Sequence, residues 1–123
     1  MITAMGDVKA SEGATAWLVR DGDVLATAEL ATSWRARTRG LLGRDSLDGA
    51  LLLRPCKQVH TFGMRFPIDV AFCTADGVVL RVTSLRPWRL SRLVRKARFV
   101  VEAPAGAFER WSLRPLDVLE IKE

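Results

Sequence analysis

The chain has 123 residues, the usual size of one domain, and no segment reads as a second core. Hydrophobic residues make up 49% and charged residues 27%, which excludes a disordered composition, and no apolar run reaches the ~20 residues of a membrane span. The net charge of +5 is local: Arg86, Arg89, Arg92, Arg95, Lys96 and Arg98 share one stretch without an acid, so any attraction to polyanions is expected there.

Residues 1–14 mix Gly, Ser, Ala and charges without period and read as a disordered leader before a single β-rich domain over 15–123. They lack the cationic start and apolar core of a signal peptide, so a cytoplasmic location is expected. Residues 14–20 read as a strand. Asp21-Gly22-Asp23 follows as a hairpin turn, because Asp and Gly tolerate positive φ, and residues 24–30 form the returning strand. Thr32 or Ser33 is placed to cap a short helix over 34–39, which Gly40 ends. A loop through Ser46 and Asp48-Gly49 leads to a short apolar strand over 50–53, stopped by Arg54-Pro55. Strands are expected next over 59–64, 68–74 and 78–84, the last two forming a hairpin around Ala75-Asp76-Gly77. Another strand spans 98–103, Pro104-Ala105-Gly106 interrupts the chain, and residues 107–111 make one helical turn. A final strand covers 116–121.

Seven or eight short strands at close spacing, with one or two short helices, predict a mainly β fold (α+β by strict count). The expected architecture is a single antiparallel sheet, curled or closed into a half-open barrel. The lack of a βαβ rhythm excludes a parallel doubly wound fold. Cys56 and Cys73 are too few for a disulfide framework, and His60 is the single histidine, so neither a metal site nor a cofactor is expected.

The most specific stretch runs from Cys56-Lys57-Gln58-Val59-His60-Thr61-Phe62-Gly63-Met64-Arg65-Phe66-Pro67 through Ile68-Asp69-Val70-Ala71-Phe72. With Arg39-Gly40-Leu41-Leu42-Gly43-Arg44 upstream and Val101-Glu102-Ala103-Pro104-Ala105-Gly106 downstream, it resembles the domain-of-unknown-function 192 family (DUF192). That family's pattern is Gly-Leu-Met-x-Arg, a Met-containing strand ending in Pro-x-Asp, Leu-Glu-x-x-x-Gly, and Gly-Asp before the last strand. Leu42 stands where the pattern has Met, and Leu116, before Asp117, where it has Gly, so a turn that used that glycine must be built differently. The resemblance implies a small β-rich domain and no particular activity.

Alternation along the expected strands puts His60, Phe62 and Met64 on one face, and separates Ile68, Val70 and Phe72 from Asp69, Ala71 and Cys73. A carboxylate at Asp69 is costly to bury unless hydrogen bonds or a cation satisfy it. It is read either as a site residue or as a structural acid held by backbone N–H groups, Arg65 or Arg44, with the structural role favoured. Cys56 and His60, with Asp69 as orienting acid, form a candidate nucleophilic set, although no helix N-terminus stands ready to activate the thiol. Glu102 and Asp117 also interrupt apolar strands. They either join His60 and Asp69 in a ligand site, converge with Asp69 on a cation through oxygen ligands, or, as favoured, cap turns.

In the basic stretch Leu90, Leu93, Val94 and Ala97 recur at helical spacing. Its arginines with Trp88 suit nucleic acid, and the favoured alternative is an exposed connection. The leading functional expectation is a binding or accessory module holding a small molecule or protein partner near His60 and Asp69, without catalysis. A cysteine-dependent hydrolase or transferase and nucleic-acid association are the alternatives.

Overall fold

The computed structural model describes residues 14–33, 36–37 and 40–123. The first hairpin forms where the turn chemistry puts it. β1 (Thr15–Arg20) and β2 (Asp23–Ala31) pair antiparallel across Asp21 and Gly22, whose φ values of 52° and 83° match the twist of the strands. The leader expected over 1–14 lies outside the described residues up to residue 13. Of the helix expected over 34–39, Ala36 and Arg37 are described, and both are helical. Ser33 Oγ accepts the Ala36 N–H at 3.0 Å, and the Gly40 N–H closes onto the Ala36 carbonyl at 2.9 Å.

β3 (Ala50–Leu53), β4 (Ile68–Cys73), β5 (Val79–Leu85), β6 (Phe99–Pro104), α1 (Ala107–Trp111) and β7 (Glu120–Lys122) follow. One seven-stranded sheet results, in the order β5-β4-β6-β3-β2-β1-β7. Its pairs are antiparallel except β2–β3, which runs parallel because the chain between them crosses over rather than turning back. The β4–β5 hairpin around Ala75-Asp76-Gly77 forms as expected.

The sheet curls until its edges approach. Backbone hydrogen bonds of 2.8 Å run from Val79 to the Asp117 carbonyl, from Leu116 to the Val79 carbonyl and from Leu119 to the Gly77 carbonyl. A half-barrel with one short described helix is therefore the architecture. Its inner face packs Ala16, Leu18, Leu30, Leu52, Ala71, Cys73 and Val101 against Phe108 of α1. The three middle strands β3, β6 and β4 are also buried on their outer face. There Leu51, Leu53, Ile68, Val70, Phe72 and Val100 lie beneath Leu41, Leu47, Val59, Met64 and Ala97 from the connecting segments.

Two sequence expectations are corrected. Residues 59–64 are not a strand: only His60 bridges, to Leu90, and Gly63 takes a φ of 81° in a tight turn. The final strand is shorter than 116–121, because Leu116 has a φ of 79° and only residues 120–122 pair with β1. The basic stretch takes the favoured form of an exposed connection and not the helix that its leucine spacing also allowed. It lies along residues 57–61, held by hydrogen bonds from Thr61 to Arg89, Ser91 to Val59 and Val94 to Lys57. These backbone partners compete successfully with the helical spacing of its leucines.

Candidate functional site

Glu102 stands near the middle of β6, directly between Leu51 of β3 and Val70 of β4. It shares the outward parity of Val100, so the segments covering the outer face also cover the carboxyl, and the residue is 4% exposed. Burial pushes its pKa up from the ordinary 4.5 to about 8, and no described charge or hydrogen bond offsets that loss of solvent. At neutral pH the side chain is therefore mainly a neutral carboxylic acid, able to donate one hydrogen bond and accept others.

A cavity of about 100 Å³ opens over this carboxyl. Leu53, Val59, Met64 and Leu41 form its buried apolar wall, while His60, Phe62, Leu42 and Leu90 form an exposed mouth. Arg37 and Gln58 supply the other polar groups. Arg37 is 2% exposed and its Nη1 donates to the Thr32 carbonyl at 2.6 Å. Gln58 Nε2 donates to the Ser91 carbonyl at 2.9 Å. His60 Nδ1 accepts the Phe62 N–H at 3.2 Å, and its ring stacks on Phe62 at 4.9 Å between centroids. A neutral His60 thus carries its proton on Nε2. Thr61, wholly buried, locks this loop to the next one: its Oγ1 donates to the Arg86 carbonyl at 2.6 Å and accepts the Arg89 N–H at 2.8 Å.

Of the acids singled out from sequence, the structure brings Glu102 to the cavity with His60 and places the others elsewhere. Asp69 faces the inner side near the start of β4. Its Oδ2 accepts the N–H groups of Gly106 (3.0 Å) and Phe108 (3.1 Å), and its Oδ1 accepts the Ser84 hydroxyl at 2.7 Å. It thus holds the start of α1. Arg65 and Arg44 pair instead with Asp45 and Glu29. Asp117 accepts from the Arg114 N–H at 3.0 Å and pairs with Arg20 at 3.1 Å.

Cys56 is fully buried and donates to the Gln58 carbonyl at 3.3 Å. Burial, with a smaller contribution from Glu102, raises its thiol to about 11, which disfavours the thiolate that nucleophilic chemistry needs. Among the described residues no hydrogen bond joins it to His60, and no three His, Cys, Asp or Glu side chains are grouped to hold a metal ion. Arg86, Arg89, Arg92, Arg95, Lys96 and Arg98 are all exposed.

Sequence reasoning missed Arg37 and Thr61, and nothing in the local pattern sets Arg37 apart from Arg35 and Arg39. Thr61, Met64 and Gln58 had a signal, since all three lie in the stretch that carries the family resemblance. The family model for DUF192, described as "Uncharacterized ACR", matches residues 17–121. The chain belongs to the DUF192 family. Two similar curated proteins are archaeal UPF0127 proteins. That of Pyrococcus horikoshii is 31% identical over 91 residues, covering 70% of this chain and 77% of its own length. That of Pyrococcus abyssi is 31% identical over 83 residues, covering 63% and 71%. Among solved structures, a proposed transcription regulator from Sinorhizobium meliloti shares the fold at a TM-score of 0.76 and 24% identity, covering 94% of this chain and 98% of that one. A protein of unknown function from Novosphingobium aromaticivorans does so at 0.73 and 18%, covering 94% and 99%. Within this DUF192 domain, the Gly40-Leu41-Leu42 motif, Met64 and Glu102 come from three separate family segments and line one cavity.

Proposed function

We propose that this DUF192 domain is a small-molecule-binding module whose site is the cavity over β6, with Glu102 as its polar anchor. The observation that supports it is the buried Glu102 carboxyl, which faces a cavity and is desolvated without a described compensating partner. A fold gains nothing in stability from such a group, since an apolar residue of similar size would pack there at less cost. Groups that work against stability in this way are characteristic of functional positions. The ligand is compact and largely apolar, to match Leu53, Val59 and Met64, and carries one polar head that accepts the Glu102 proton. His60 and Gln58 flank that head nearer the mouth. Nucleophilic catalysis is not part of the reading, given the protonated Cys56. The reading keeps the cytoplasmic placement expected from sequence, which suits two buried free thiols. No described helix is long and apolar enough to cross a membrane.

The test is a fragment screen read by methyl NMR of Met64 and by the His60 ring signals. Hits should shift both in the wild type and in Glu102→Gln, which keeps a neutral hydrogen-bonding head, and lose affinity at least about tenfold in Glu102→Leu, as expected for one buried hydrogen bond. Hits that shift only residues away from the cavity would remove this reading.

A further inference from the structure

We propose that the exposed surface beside the cavity mouth, built from residues 86–98 and the rings of His60, Phe62 and Trp88, binds single-stranded nucleic acid. This surface adjoins the cavity and shares His60 and Phe62 with its mouth, and its binding does not depend on a ligand in the cavity. The six cations of residues 86–98 are all exposed, and no acid interrupts them. The described hydrogen bonds of Arg89 and Arg98 run to backbone carbonyls rather than carboxylates, so their charges are available to an anion. The backbone beneath them is fixed by the Thr61, Val59 and Lys57 hydrogen bonds, so the cations are carried on one non-helical connection held against residues 57–61. A run of exposed arginines without an acid suits a polyanion, and arginine is the side chain best shaped to grip phosphate oxygens in pairs.

Near the start of that stretch stand the rings. His60 stacks on Phe62, and the Phe62 and Trp88 centroids are 6.4 Å apart. Trp88 is 64% exposed and held out on a left-handed turn with φ of 66°. An exposed tryptophan flanked by Arg86 and Arg89 offers a face to an unpaired base, next to cations for its phosphates. A duplex hides its base faces, so the preference is for single strands. A bilayer would match the apolar mouth and the charge, but it gives no account of cations gathered on one connection.

Fluorescence anisotropy with labelled oligothymidylate of roughly 20 nucleotides, longer than the ~4–16 nucleotides such sites cover, decides the matter. Binding should weaken steeply with salt, with a log–log slope of about −0.7 per phosphate neutralised. The triple variant R89Q/R92Q/R95Q should keep the wild-type melting temperature, because these are surface positions, and flatten the slope by about 2. Trp88→Asn, whose new side chain tolerates the left-handed turn, should bind the single strand roughly tenfold more weakly with an unchanged slope. Three results would overturn the proposal: no binding at low salt, equal affinity for a duplex with no effect of Trp88→Asn, or retention on phosphatidylglycerol vesicles without oligonucleotide binding. The last would assign the surface to a membrane.

Discussion

The carboxyl of Glu102 ties folding to pH. Its folded pKa of about 8 lies above the ordinary 4.5, so the folded chain holds this proton more tightly than the unfolded chain does. The stability linked to it is complete below about pH 4.5 and is lost as pH rises toward 8, by up to ~1.4 kcal/mol per pH unit. Glu102→Gln cannot titrate and should lack this loss. Urea unfolding of both proteins between those limits should show the Glu102→Gln variant gaining on the wild type as pH rises, and parallel curves would mean that Glu102 is already ionised in the fold. Asp69 behaves differently because all three of its described partners are donors. Asp69→Ala strands two N–H groups at the start of α1 and should cost about 2–4 kcal/mol by urea unfolding. Asp69→Asn should cost less, since its oxygen can keep the N–H pair while its amide donates to Ser84.

At the scale of elements, turn chemistry carried most of the legible information. Asp21-Gly22 and Ala75-Asp76-Gly77 mark hairpins because their backbone conformations are expensive for most other residues. Ser33 and Gly40 bound the helical residues for the same kind of reason. The alternation of His60, Phe62 and Met64 misled because a strand needs a regular partner, and the facing segment supplies one bridge before Gly63 turns the chain. Glu102 was legible as an acid in an apolar strand. Its separation from Asp69 was not, because the faces of two strands become comparable only once their register is known.

Leu116 also departs from what the family pattern suggested. The turn keeps a left-handed φ of 79° although it holds leucine, and that side chain is 80% exposed. Leu116→Gly should therefore stabilise by about 1 kcal/mol in thermal melts, the left-handed strain relieved exceeding the entropy glycine adds. Gly77→Ala should do the reverse. A Cβ there overlaps the Leu119 carbonyl, whereas one at Gly22 meets nothing, so Gly77→Ala should lower the melting temperature well beyond the ~1–2 kcal/mol expected for Gly22→Ala.

Across the whole molecule, neighbours in the sheet are often distant in sequence: β1 pairs with β7, β3 with β6, and β5 reaches toward residues 116–119. Loop closure on this scale slows folding, so stopped-flow refolding from urea should take milliseconds to seconds rather than microseconds. The joining of the sheet edges near Val78 and Val118 adds a consequence for synthesis. On the ribosome, the first hairpin emerges well before β7, and β1 keeps one side of its backbone unpaired until residues 120–122 are free. During that interval the nascent chain presents a strand edge that the finished half-barrel covers. Translation speed over residues 32–119 therefore sets how long that edge stays open to other chains.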